Sequence, residues 1–299
     1  MNKKLTMIAL SIVVGGTLLC TTAWASLSGS TGYDVYKSAF KKTSQSVSGT
    51  ADIQVTDNGA AILKANDTAK VNLKNESMST NLTITGGDKT ATMDVYQQQD
   101  QTVVKNSDSD VYNVITHGEF EKHDHARIKD DPAHQAMAKD VENIVDLAMG
   151  NLKDYITLDE NSDGTKTVSL KLAGSQITPL ENAVAALFVK NGLREHESAD
   201  SAMAAANDII QANLPKLVSD IQVTNVDIKA AINGQNQIDN QSVNLTVSGK
   251  DSAGKTHEVV VSLNLKLSDF NNTNPDTIDL TGKQVKNITP QDFAGRHHE

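Results

Sequence analysis

Between His257 and Leu267 the apolar residues fall on every second position: Val259, Val261, Leu263, Leu265 and Leu267, separated by Val260, Ser262, Asn264 and Lys266. A period of two sends alternate side chains to opposite faces, so this stretch predicts a strand with one apolar face. The same phase recurs upstream. Runs at Val47 to Val55, Ala60 to Leu73, Met78 to Ile84, Thr90 to Tyr96, Thr102 to Lys105 and Val111 to Ile115 predict a meander. Asp57-Asn58-Gly59 and Gly86-Gly87-Asp88 supply turn residues that tolerate positive φ. A hairpin is predicted from Tyr155 to Leu158 and Thr167 to Leu172, turning at Asp163-Gly164, and long strands from Leu217 to Ile232 and Gln237 to Ser248. In the first of these long strands Ile221 and Val223 are followed by Val226, Ile228, Ala230 and Ile232. The phase slips by one near Asn225, which predicts a β-bulge.

Other stretches change to a helical period. Tyr36 and Phe40 predict a short helix over Tyr33 to Thr43, with Thr31 and Asp34 in cap-like spacing. Asp131 and Pro132 open a second, whose stripe is Met137, Val141, Ile144, Val145 and Ala148 and whose stop is Gly150. Thr178-Pro179-Leu180-Glu181 is the best cap in the chain, followed by Leu180, Val184, Leu187 and Phe188 on one face until Gly192. A further helix from Ser198 to Asn213 carries Met203, Ala206, Ile209 and Ile210. Strands joined mainly by hairpins, with amphipathic helices that must bury their stripes, imply an α+β fold. The expected form is one curved antiparallel sheet, a half-open barrel, with the helices on its concave face. Two meanders packed face to face are the alternative. No Pro/Gly/Ser linker interrupts the run, so residues 33–290 read as one domain, with flexible ends at 26–32 and 291–299.

The first 25 residues stand apart. Lys3 and Lys4 precede an apolar run from Met7 to Leu19, and Ala23-Trp24-Ala25 follows. This is the order of a secretory signal peptide, with cleavage before Ser26; the run is shorter than the about 20 residues of a membrane span. Cleavage removes Cys20, the only cysteine, and with it any disulfide, thiol nucleophile or thiolate metal site. Thr17-Leu18-Leu19 before Cys20 is not a lipobox, which favours ordinary cleavage over lipid attachment. Taking Lys3 and Lys4 from 27 basic residues leaves 25 against 37 acidic, a formal charge of −12. Such a surface is unsuited to nucleic acid. The expected location is secreted or in the extracytoplasmic envelope.

Candidate chemistry is thin. His117, His123, Asp124, His125 and His134 form the sharpest group: His123 and His125 share one side of an extended segment, and two imidazoles with a carboxylate suit Zn²⁺ or Cu²⁺. No HExxH is present, and solvated residues linking a strand to a helix explain the group as well. Asp159, Asn161, Asp163 and Gly164 imitate the opening of a calcium loop. Its twelfth position is Leu170 rather than Glu, which favours a hairpin turn. Ser252 sits in Lys250-Asp251-Ser252-Ala253-Gly254, a turn, and no Gly-x-Ser-x-Gly, Ser-x-x-Lys with Lys-Thr-Gly, or phosphate loop occurs. Acidic pairs such as Asp159 with Glu160, or Glu119 with Glu121, are ordinary in so acidic a chain. No catalytic, cofactor-binding or metal residue is assigned, and no cofactor is expected.

The element order, with Gly32-Tyr33-Asp34-Val35-Tyr36-Lys37 after the leader and Asn274-Pro275-Asp276-Thr277-Ile278-Asp279-Leu280-Thr281-Gly282-Lys283 after the last long strand, resembles the LolA and LppX group of envelope lipid-handling proteins. It resembles uncharacterised secreted proteins of Gram-positive bacteria more closely. The resemblance implies a half-open barrel whose concave face, lidded by helices, shelters an acyl chain; no ligand residues transfer. The expectation is a non-enzymatic envelope protein that binds a lipid or other apolar ligand, with membrane contact only through an uncleaved leader or a transient encounter. A cell-surface interaction or structural module is the alternative, and a metal-dependent enzyme built on His117 to His134 the second.

Overall fold

The computed structural model describes residues 31–43, 46–98, 100–116, 155–177 and 201–288. Within them α1 (Thr31–Thr43) precedes β1 (Ser46–Asp57), β2 (Ala60–Asn72), β3 (Ser77–Gly86), β4 (Lys89–Gln98), β5 (Gln101–Asn106) and β6 (Val111–Thr116). Then come β7 (Ile156–Glu160), β8 (Lys166–Ala173), α2 (Ser201–Asn213), β9 (Ser219–Ile232), β10 (Ile238–Lys250), β11 (Thr256–Ser268) and β12 (Gln284–Ile288). The predicted strands are present, most of them longer by one to three residues at an end. α1 begins at Thr31, two residues before the predicted start at Tyr33, so Thr31 and Gly32 are helical. The leader, the helices expected at 131–150 and 178–192, and the tail at 291–299 lie outside the described residues.

All the described strands belong to one open sheet, in the order β12-β6-β5-β4-β3-β2-β1-β11-β10-β9-β8-β7. The face-to-face alternative is therefore overturned: β1 pairs with β11 from Ser48↔Ser268 to Asp57↔Val259 and fuses the two meanders edge to edge. Every pairing is antiparallel except β12 with β6, which is parallel, so the expectation of a purely antiparallel sheet needs that correction. A parallel partner requires a long return connection, and residues 269–283 supply it.

Local chemistry accounts for the turns. Asn58 and Gly59 both take positive φ, +49° and +82°, in a two-residue loop between the paired Asp57 and Ala60. That is the left-handed loop geometry which matches strand twist. The bulge falls where the phase slips: Thr246 faces Asn225 and Val247 faces Val223, leaving Thr224 as the extra residue.

The register places one row of residues straight across the sheet. Leu158, Val168, Ala230, Gln241, Leu265, Ala51, Asp67, Leu82, Met93 and Asn106 are successive Cα partners from β7 to β5. Directly paired residues share a face, and all but Leu158 are buried. α1 clusters on this row's face through Tyr33, Tyr36 and Ala39, against Val168, Ala230, Ile232 and Ile238. α2 clusters on it through Ala206 and Ile209, against Leu82, Ile84 and Met93. Gly86 permits the latter approach, since a Cβ there would stand 2.9 Å from Ile209 Cγ2 and 2.6 Å from Asn213 Nδ2.

The opposite face carries a strap. Residues 269–283 cross it by polar contacts. Asn72 Nδ2 donates to Thr273 O at 3.3 Å, Lys70 Nζ meets Asp276 Oδ1 at 2.8 Å, and the Asp276 amide donates to Ser79 Oγ at 2.9 Å. Gln98 holds Ile278 at both its amide, 2.8 Å, and its carbonyl, 2.9 Å. β12 then closes on β6, with Ile288 buried beside Ile115.

Candidate functional site

The apolar face is interrupted by a few polar side chains. β2 presents Leu63, Ala65, Asp67, Ala69 and Val71 in one phase, and Asp67 is only 3% exposed. Its partners across the ladder are Ala51 and Leu82. The Thr80 hydroxyl donates to Oδ1, and the Thr68 backbone N–H also reaches the carboxylate. Loss of water outweighs these bonds and pushes the carboxyl up to about 6. Around it the floor is low, because Gly49, Ala51, Ala65 and Ala69 are all buried small residues of the same phase.

Gln241 lies three places along the row. It is fully buried; Oε1 accepts from Tyr36 OH at 3.1 Å, while Nε2 has no partner. A buried amide donor left in this way costs about 1–3 kcal/mol.

At the end of the face where the β1–β2 and β10–β11 turns meet, His257 stands between two carboxylates. Nδ1 lies 2.8 Å from Asp57 Oδ2 and Nε2 lies 3.3 Å from Asp251 Oδ2. The bond to Asp57 raises the imidazole pKa above its ordinary value, with Asp251 adding to it against the cost of burial. Both ring nitrogens are thereby engaged, so neither is presented to a serine as a base. Asp251 Oδ1 also accepts the Ala253 and Lys255 amides, each at 2.9 Å. The cluster ties two turns together.

Of the residues singled out by sequence, His117, Glu119, Glu121, His123, Asp124, His125 and His134 lie outside the described residues. Among the described residues no group of three or more His, Cys, Asp or Glu is arranged to hold a metal ion. The calcium-like segment is a hairpin turn. Asp163 Oδ1 accepts from the Thr165 hydroxyl at 2.7 Å and its amide at 3.0 Å, and these bonds hold the carboxyl below its ordinary value. Leu170, at the would-be twelfth position, is buried on β8. Glu160 pairs with Lys166 at 3.1 Å across the same hairpin, and Ser252 lies in the β10–β11 turn. Asp67, Gln241 and His257 were not anticipated as site residues.

Among the described residues, hollows of two kinds accompany the face. One of about 40 Å³ lies under α2 among Leu82, Ile84, Ala91, Met93, Asn106 and Ala206, room for water but not for an acyl chain. The other, about 460 Å³, is an open polar groove between α1 and two hairpin turns, lined by Asp34, Ser38, Lys166, Asn233 and Asn236. No described helix is long and apolar enough to cross a membrane.

No family model matches the chain, and no curated protein matches it. Among solved structures, the chain is similar to a beta-barrel-like protein of domain of unknown function DUF1849 from Brucella abortus. That match has 10% identity, covers 75% of this chain and 99% of that one, and has a TM-score of 0.18. At that score the likeness carries no argument. What the fold and its buried face define is a β-rich protein built on one open sheet.

Proposed function

We propose that this is a non-enzymatic extracytoplasmic protein that holds a lipid or other apolar chain against a concave sheet face, as the LolA and LppX resemblance implies. The observation that carries the reading is the strip between the two helices. Among the described residues, α1 rests on β7 to β10 and α2 chiefly on β3 and β4, and the buried stretch between their contacts is floored by Gly49, Ala51, Ala65 and Ala69 beside Leu263 and Leu265. Small side chains keep this floor low and a sheet this wide curls; Ala51, Ala65 and Ala69 are at most 5% exposed, so a chain laid along the floor takes the place of what covers it now. Burying an acyl chain there is driven at about 25 cal/mol per Å² of apolar surface removed from water.

Protein purified without detergent is expected to carry co-purified lipid in native mass spectra and to bind N-phenyl-1-naphthylamine with a fluorescence rise. Ala51→Leu and Ala69→Leu, which raise the floor, are expected to weaken dye binding about tenfold while circular dichroism is retained. Absence of both lipid and dye binding in the parent overturns the proposal. An interaction module working through sheet edges has less support, because the edge strands among the described residues, β7 and β12, are five residues long, and short edges are poor templates for pairing.

A further inference from the structure

We propose that the polar groove between α1 and the two hairpin turns beside it binds a neutral polyhydroxylated ligand, a stretch of glycan. This site is separate from the apolar strip and does not rest on the lipid reading. Its walls are Asp34, Val35 and Ser38 of α1, Gly164 and Lys166 of the β7–β8 hairpin, and Asn233, Gly234 and Asn236 of the β9–β10 turn. The space among them is about 460 Å³, within the roughly 300–1,000 Å³ of small-molecule sites. The groove is open to solvent, and its rim is low at the two glycines, where an added Cβ would meet nothing within 4 Å.

The walls are held before any ligand arrives. Asn236 Nδ2 donates to Ser38 Oγ at 2.9 Å and Lys42 Nζ to Gln235 O at 3.5 Å, which ties the β9–β10 turn to α1. Within that turn Asn233 Oδ1 accepts the Gln235 and Gln237 amides, each at 3.0 Å. Asp163 fixes the β7–β8 turn through the Thr165 hydroxyl and amide. Walls set in advance reduce the ordering cost of binding.

The bonding capacity left over decides the ligand class. Ser38 Oγ accepts from Asn236 and keeps its own proton to donate, Asn236 Oδ1 remains an acceptor, and Lys166 uses one of its three N–H groups on Glu160 at 3.1 Å. Asp34 is exposed, and among the described residues its carboxylate has no hydrogen-bond or ion-pair partner. A hydroxyl donates and accepts at once, so walls that mix donors with acceptors fit the adjacent hydroxyls of a sugar. Val35 is the apolar member of the lining, enough for the C–H face of a sugar and too little for an acyl chain. Anions are disfavoured, because Glu160 already balances Lys166 and Asp34 repels them. A divalent cation wants several carboxylates, and the groove offers Asp34 alone.

The test is a proton–nitrogen NMR titration of the full chain with maltotriose, cellotriose and N,N′,N″-triacetylchitotriose, and in parallel with inorganic phosphate and spermidine. At least one sugar is expected to move the amides of Ser38, Gly164 and Asn236, with a Kd of about 0.1–10 mM, the range for a few hydrogen bonds in an open site. Asp34→Ala and Ser38→Ala are each expected to weaken that binding about three- to tenfold. Asp52→Ala, on the opposite face of the sheet, leaves it unchanged. The titration of the parent needs no variant and stands if either groove variant fails to fold. Silence of these amides toward all three sugars at about 20 mM, or a response to phosphate or spermidine with none to sugar, overturns the proposal. Sugar binding that both groove variants leave intact overturns it as well.

Discussion

Asp67 makes the apolar face costly at neutral pH. The folded chain keeps the Asp67 proton up to about 6 while the unfolded chain releases it near the model-peptide value of 3.8. Between those values the folded state binds more protons, so stability falls as pH rises through this window, by about 3 kcal/mol for a shift of this size. His257 acts in the same direction at higher pH. Its raised folded pKa gives stability that is complete below the unfolded value of 6.5 and is lost as pH rises through the folded one. Asp163, Asp251 and Asp279 have depressed values, so their contributions are complete above 3.8 and are lost only as pH falls further. Urea titrations from pH 4 to 9 are expected to show two descending steps for the parent. In Asp67→Asn the step between pH 4 and 6 disappears and stability at pH 8 rises by about 1–2 kcal/mol, while the His257 step remains.

At the scale of elements, the strap depends on few bonds. Gln98 binds both backbone groups of Ile278 from β4, so Gln98→Ala is expected to release the centre of the strap. The expected cost is about 1–2 kcal/mol, with hydrogen exchange at the amides of Gln284–Ile288 accelerated before that of β2 or β3. The strands before the strap were legible because period two, Asn58-Gly59 and the phase slip at Asn225 are local signals. β12 was not, for two reasons. Val285 and Ile288 are its only apolar residues, and its partner, β6, lies some 170 residues upstream. The site was half-written in the same alternation. Asp67 among Leu63, Ala65, Ala69 and Val71, and Gln241 before Val243, Leu245 and Val247, are polar residues in an apolar phase. Which of them share a row depends on register across strands far apart in sequence, and a single strand's pattern does not contain that. The helices showed a related limit: Thr31 and Gly32 fell in the stretch 26–32 read as an end by composition, yet α1, packed through Tyr33 and Tyr36, begins at Thr31.

For the molecule as a whole, the decisive pairing is β1 with β11, which joins residues about 200 positions apart. Contacts of such separation require loop closure before they stabilise anything, and they slow folding. Refolding from urea, followed by far-ultraviolet circular dichroism, is expected to be slow, on the scale of seconds rather than milliseconds. Leu265→Ala, at the seam, is expected to slow it further if the seam forms in the transition state, and to speed unfolding if it forms afterwards. The β1–β11 seam and the late return of β12 also set a condition on synthesis. A chain made from its N-terminus completes the first six strands with the outer sides of β1 and β6 both bare, and the partners of both come only after Thr256. A nascent or prematurely released chain is thus a ribbon that can stick at either side, and only the last portion to be made turns it into a finished protein.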